Sequence, residues 1–362
     1  MKILYAIQGT GNGHINRARD IIPLLLEKGE LDILVSGTEE KVELGYPVKY
    51  FLKGLSFVFG KNGEIDLVST YKKIKMKRFY FEIKKLPVND YDIVISDFEP
   101  VSSWSCRLQH KICFALSHQS AVLNKKSPQP NEFDPVRRII LKNYAPATIH
   151  YGFHFKKYDN KIFTPVIRRE IRNARKSNGR HYTVYFPSYS DKKIIKVLGE
   201  IKDVEWQVFS THSKKNYQEK NIFIFPISNK LFIKSMASSA GVLCEAGFET
   251  PAEALFLRKK LMVISMKGAY EQQSNAAALK KMGVPVLNKL KLPNLANIKK
   301  WLKNGKVVPV DFPEITREVV DELFKRNGAL TDNFQAVLGT VPYSFKKLKR
   351  GIVRNALHQI RK

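Results

Sequence analysis

Short apolar runs alternate with helix-length stretches along this chain, and the alternation happens twice. Lys2–Gln8 (KILYAIQ), Leu31–Ser36, Val48–Leu52, Tyr91–Ser96 and Ile112–Leu116 make the first series. Tyr182–Phe186, Glu205–Phe209, Asn221–Phe225, Gly241–Cys244 and Leu261–Ser265 make the second. Runs this short and apolar suit strands covered on both faces, and the stretches between them suit helices. The pattern therefore specifies βαβ units and parallel sheets. Helices are expected over Asn16–Lys28, and later over Lys192–Gly199, Asn229–Ala237, Thr250–Leu257 and Glu271–Met282. The polar, basic stretch Arg168–Arg180 reads as a linker, which puts the break near Thr164–Pro165. The expectation is an α/β protein of two Rossmann-like, doubly wound parallel-sheet domains, 1–165 and 166–338, facing each other across a cleft. A length of 362 residues agrees, at ~150 residues per domain.

Composition narrows the partners. Hydrophobic residues make up 44% of the chain and aromatics 11%, which supplies real cores and excludes global disorder. The three cysteines, Cys106, Cys113 and Cys244, cannot build a disulfide framework and show no zinc spacing. They fit a reducing cytosol. No signal peptide and no run of ~20 apolar residues is present, so a cytoplasmic protein is expected, at most peripheral to the cytoplasmic membrane. Charge is the outlying property: 62 Lys and Arg against 33 Asp and Glu, a formal net charge of +29. Nucleic acid, anionic lipid and phosphorylated ligands are candidates to meet it, as is a solvated lysine-rich surface with no partner. Two stretches concentrate the charge. Tyr71–Leu86 sets seven Lys or Arg against Glu82, and Pro342–Lys362 carries seven with no acid. The second also spaces Phe345, Leu348, Ile352, Leu357 and Ile360 along one helical face, as a basic amphipathic helix does. No RNP, KH or zinc motif supports a specific nucleic-acid partner.

Three motifs carry chemistry. The first, Gly9-Thr10-Gly11-Asn12-Gly13-His14, follows the opening run and leads into a helix. Glycines let a backbone approach a ligand closely, and a helix N-terminus favours anions. The spacing is GxGxG rather than the dinucleotide GxGxxG, and the second run ends in Ser36-Gly37 without a ribose-binding acid. A nicotinamide or flavin enzyme is thereby disfavoured. In a doubly wound sheet of order 3-2-1-4-5, strands one and four are neighbours, so His14 can meet Asp97 of Ser96-Asp97-Phe98-Glu99. A carboxylate that holds the imidazole tautomer makes the histidine a general base. A helix cap for His14 and a turn role for Asp97 are the structural alternatives. Glu99, and His118 at the end of the fifth run, share that rim with Gly11, Asn12 and Gly13.

The second motif is Cys244-Glu245-Ala246-Gly247-Phe248-Glu249-Thr250-Pro251-Ala252-Glu253. Gly247 permits a tight strand-to-helix loop, Thr250 reads as an N-cap, and Pro251 suits the first helical position. Glu253 then completes a capping box, or else grips a ribose beside a diphosphate on the helix N-terminus. The third motif, Lys267 to Ala276, is a polar first turn whose Gln272 and Gln273 amides suit sugar hydroxyls.

In this order the motifs resemble those of glycosyltransferases of the GT-B fold. The resemblance is to the group of the peptidoglycan lipid-intermediate N-acetylglucosaminyltransferase and the galactolipid synthases, with their uncharacterised bacterial and archaeal relatives. It implies that Glu253 binds the nucleotide ribose, that Gly247, Phe248 and Thr250 face the diphosphate, and that Gln272 and Gln273 face the donor sugar. Ile227 would lie near the base, and Ser188 near the donor. It further implies a nucleotide-sugar donor, UDP-linked, a glycan or lipid-linked acceptor, and inverting transfer without metal or cofactor. The tail 339–362 would pack back on the first domain. Glu245 stands where the peptidoglycan enzyme has a basic residue. A UDP-sugar 2-epimerase shares this architecture, and a nucleic-acid-binding protein is the rival reading of the charge. Oligomeric state is left open.

Overall fold

β1 (Lys2–Gln8) buries every residue after its first, on both faces, as a strand in the middle of a covered parallel sheet must. It pairs in parallel with β2 (Glu30–Ser36) on one side and β4 (Ile93–Asp97) on the other. β3 (Tyr50–Leu52), β5 (Phe114–Leu116), β6 (Ile149–Phe153) and β7 (Ile162–Phe163) complete a seven-stranded sheet in the order β3-β2-β1-β4-β5-β6-β7. The computed structural model describes residues 1–10, 12–37, 44–55, 76–130, 134–266 and 268–331.

The second series repeats the plan. It comprises β8 (Tyr182–Tyr185), β9 (Trp206–Ser210), β10 (Tyr217–Glu219), β11 (Ile222–Pro226), β12 (Gly241–Glu245), β13 (Lys260–Ile264) and β14 (Val286–Leu287). Their order is β10-β11-β9-β8-β12-β13-β14. Only β10 runs antiparallel, in a hairpin with β11 that turns through Lys220 at φ 55°. The first sheet changes its direction of winding between β1 and β4, and the second between β8 and β12. Doubly wound sheets open a ligand crevice at such points, outside the carboxyl ends of the strands. An apolar cluster runs between the sheets, joining Phe153 and Phe155 to Ala246 and Phe248.

Several elements differ from the sequence reading. The first helix spans Asn12–Leu26 and begins inside the glycine motif, so His14 lies in its first turn and does not cap it. β6, β7, β10 and β14 went unread because they are two to five residues long, and β6 (IHYGF) is broken by a histidine and a glycine. The helix expected to open with Thr250 spans Glu249–Phe256, making Thr250 its second residue and Pro251 its third. The chain also returns to the first domain earlier than 339. The helix Thr316–Thr331 packs along Asn12–Leu26, with Arg317 bidentate to Glu27 at 2.6 and 2.9 Å and Lys28 on Asp321 at 2.6 Å. The tail 339–362, with its amphipathic face, lies outside the described residues, as does 71–75 of the other basic stretch. Among the described residues no helix is long and apolar enough to cross a membrane.

Candidate active site

The two crevices face each other, and each is built on a carboxylate at the end of a central strand. In the first, β1 and β4 pair with Ile7 opposite Asp97, so Asp97 ends its strand level with the start of the glycine motif. The first helical turn then delivers His14, whose Nδ1 stands 2.8 Å from Asp97 Oδ1. Arg17, one turn further on, donates from Nη2 to both oxygens of Asp97 at 2.7 and 2.8 Å and from Nε to Oδ2 at 3.1 Å. Burial opposes the charge on Asp97, but Arg17 and His14 outweigh it and hold the carboxyl below its ordinary value. An ionised carboxylate only accepts, so His14 donates through Nδ1–H, which leaves Nε2 outside this contact.

Phe98 follows Asp97 with φ 57°, a left-handed conformation a bulky residue rarely adopts. That twist lays its ring parallel to His14, centroids 6.4 Å apart, and stacks it on Tyr144 at 4.7 Å. The aromatic pair walls the histidine on the first-domain side.

In the second crevice Glu245 ends β12 beside the loop that follows β8. It accepts from Ser188 N at 2.9 Å and from Ser188 Oγ at 3.2 Å, and Gln272 adds a further hydrogen bond. No cation is among these partners. Burial pushes this carboxyl above its ordinary value, the reverse of Asp97. Glu249, in the first turn of the helix that follows, reaches across to Arg17 Nη1. Burial is the largest influence on Glu249. Against the pull of Arg17, and with Glu253 and Asp97 nearby, its pKa is pushed up to about 7.

A cavity of about 440 Å³ lies between these groups, with His14, Arg17 and Phe98 on one side and Glu245, Gly247 and Thr250 on the other. The chain matches the family model described as Glycosyl transferase family 1 over residues 1–305. It belongs to this family. The fold of this glycosyltransferase is GT-B, two sheet domains facing each other across a cleft. It resembles the S. aureus MnaA-UDP co-structure (TM-score 0.59, 13% identity, covering 91% of this chain and 97% of that one). It also resembles Phytolacca americana UGT2 complexed with UDP-2fluoro-glucose and pterostilbene (TM-score 0.56, 13% identity, 91% and 95% covered). MurG of Acinetobacter baumannii is similar at TM-score 0.52 and 15% identity, with 92% and 99% covered. At these identities the likeness is one of fold. No curated protein matches the sequence.

Only some of the sequence-predicted residues reach the cavity of this glycosyltransferase. His14, Gly13, Gly247, Phe248, Thr250, His118 and Gln272 line the cavity. Gly13 packs against Glu249 of the other domain, whose side chain a Cβ would meet at 3.1 Å. Asp97 stands directly behind His14, and Asn12 opens its helix. Gly11 lies outside the described residues.

Glu99, Glu253, Ile227, Ser188 and Gln273 do not line the cavity, and His118 reaches it with both ring nitrogens engaged. Glu99 is a helix cap: it is fully buried, and its carboxylate accepts from Val101 N, Ser102 N and Ser36 Oγ at 2.6–2.7 Å. It does not line the cavity. His118 reaches the cavity with its ring, stacked on Phe248 at 3.9 Å, but both nitrogens are occupied, by Phe153 O and by the Asn275 side chain, each at 2.8 Å. Burial also holds its pKa below the usual imidazole value, and the ring bridges the two domains. Glu253 makes no capping box. Its carboxylate is gripped by Arg168, Nε at 2.5 Å and Nη2 at 2.8 Å, and Arg168 Nη1 continues to Asn229 Oδ1 at 2.6 Å. Ile227 is exposed on the turn before its helix, and neither it, Ser188 nor Gln273 lines the cavity. Among the described residues, no group of three or more His, Cys, Asp or Glu side chains could hold a metal ion.

Arg17, Glu249 and Phe98 escaped the sequence reading. Arg17 had a legible signal: it follows His14 by three residues, on the same helical face, and falls among the buried Ile15, Ala18, Ile21 and Ile22. A charge on an apolar face implies a partner.

Proposed function

We propose that this glycosyltransferase moves a sugar from a UDP-linked donor to an acceptor hydroxyl, with inversion and without a metal. The observation that carries the proposal is the His14–Asp97 contact of 2.8 Å at the edge of a cavity shared with the loop Gly247–Thr250. In this reading His14 Nε2 takes the proton from the acceptor hydroxyl as its oxygen attacks the anomeric carbon. Asp97 stabilises the imidazolium that forms. The diphosphate leaves toward the N-terminus of the helix Glu249–Phe256, where backbone N–H groups and the helix dipole meet its charge. Glu245 and Glu249 stand beside that path, and burial raises both pKa values, which lessens the negative charge an arriving diphosphate meets. Glu253, oriented by Arg168, retains lone pairs for the ribose hydroxyls. Ile227 offers an exposed apolar face to the base, and Gln272, which lines the cavity, borders the sugar.

The acceptor in this proposal is a glycan, or a lipid-linked molecule at an anionic membrane surface. The helix Met76–Lys85 supports the second form. It buries Phe79 and Ile83 and exposes Tyr80 and Phe81 among Lys77, Lys84 and Lys85. Such a face is drawn to anionic vesicles, each Lys or Arg adding ~1 kcal/mol, and is released as salt rises. Co-sedimentation with anionic but not neutral vesicles is the expected result; equal behaviour toward both restores a soluble acceptor. The catalytic proposal is tested with His14→Ala, which should lower turnover by about 10²–10⁴ while UDP still binds. Turnover in EDTA tests metal independence. Near-normal turnover in His14→Ala removes the histidine from the mechanism.

A further inference from the structure

The oxygen of the Gln119 side chain is buried and has no hydrogen-bond partner. Gln119 belongs to the first domain and is 5% exposed, yet it lines the cavity. Its nitrogen crosses to the second domain and donates to Glu271 Oε2 at 2.9 Å. A carboxylate only accepts, so the amide cannot be turned over: Nε2 must face Glu271, and Oε1 is fixed as an acceptor. Two further bridges hold this corner shut, Tyr270 OH donating to Gln129 Oε1 at 2.6 Å and His118 on Asn275 at 2.8 Å. A buried carbonyl oxygen left unpaired destabilises the fold unless a ligand donates to it.

Resting on the proposed reading, in which the donor sugar lies against the segment that carries Glu271 and Gln272, we infer that Gln119 Oε1 accepts a hydrogen bond from a hydroxyl of the transferred sugar. Gln119 is then a specificity residue supplied by the domain opposite the nucleotide. A pyranose presents hydroxyl donors around its ring, and an acceptor whose orientation is locked by Glu271 discriminates among their positions. The contact also makes sugar recognition depend on the closed arrangement of the domains, because the bond that orients Gln119 spans the cleft.

The test compares dissociation constants of wild type and Gln119→Met for UDP, UDP-glucose, UDP-galactose and UDP-N-acetylglucosamine. Methionine keeps the length of the side chain and removes the acceptor. UDP affinity should stay within about twofold, while the affinity for at least one UDP-sugar falls by about 3- to 10-fold, the loss of one hydrogen bond. Gln119→Lys keeps a donor for Glu271 but has no acceptor, and should show the same selective loss. Full recovery in Gln119→Lys overturns the inference, because the contact then runs through Glu271. Equal losses for UDP and every UDP-sugar, or no loss at all, overturn it too. Failure of wild type to bind UDP overturns the donor reading itself, and the inference falls with it.

Discussion

Asp97 and Glu245 occupy the same place in the two halves of the molecule, each the last residue of the strand beside its sheet's first strand. Each accepts hydrogen bonds from the stretch that follows the first strand, His14 and Arg17 in one domain and Ser188 in the other. The partners set opposite electrostatics. Two cationic or ionisable partners keep Asp97 charged, whereas burial pushes Glu245 toward its acid form and its neutral partners Ser188 and Gln272 offset that only in part. One topology thus yields a crevice whose carboxylate is held ionised beside an imidazole, and another whose carboxyl ionises less readily beside the proposed path of a diphosphate.

The largest effect expected from breaking this comparison comes from neutralising each carboxylate in turn. Asp97→Asn removes the negative charge that pairs with Arg17 and supports a protonated His14, and puts an NH2 donor where Arg17 and His14 both need an acceptor. Turnover should fall by about 10²–10⁴, and stability by about 3–5 kcal/mol, as for a broken buried ion pair. Glu245→Gln at the equivalent position should cost under about 1 kcal/mol, because an amide can still accept from Ser188. Urea unfolding and steady-state rates measured on both variants check this; equal losses would mean that the two carboxylates are equivalent.

A smaller effect is expected at the ribose. Glu253→Gln keeps the volume but weakens the bidentate pair with Arg168 and replaces one acceptor by a donor. UDP affinity should fall by about 10-fold or more, in line with a hydrogen bond to a charged group. Calorimetric titration would show this, and unchanged UDP affinity with lower stability would make the pair purely structural.

The smallest effect concerns pH. Glu249 has an ordinary value of 4.5 and a folded value of about 7. Between these values the folded chain holds a proton that the unfolded chain has released, so stability falls as pH rises through that window. Glu249→Gln should flatten the slope by about 1 kcal/mol, after screening by solvent and Arg17. Urea midpoints at about pH 5 and pH 8 measure it; an unchanged slope would place the titration elsewhere.

Much of this comparison was legible in the chain. The apolar runs gave the central strands within two residues at either end, because strands buried on both faces leave a continuous apolar signature. Topology alone brought His14 to Asp97. What escaped was contact chemistry between domains. Nothing near Glu249 in sequence names Arg17 as its partner 232 residues away. Glu99 was misplaced because its distance from Asp97 suits a rim residue equally well, and only the turn at Phe98 sends its carboxylate inward to cap a helix. Thr250 and Glu253 matched a capping box by spacing, but the helix starts one residue earlier and Arg168 takes the carboxylate.

A crystal structure with UDP bound tests the division between the crevices most directly. The glycine motif Gly9–Gly13 and the loop Gly247–Thr250 each lead into a helix N-terminus, and either could attract a diphosphate. The diphosphate is expected within hydrogen-bond distance of the backbone amides of Gly247–Thr250, with the ribose at Glu253 and His14 Nε2 left free toward the cavity. A diphosphate seated on the glycine motif beside His14 would contradict that assignment and reverse the roles of the two domains.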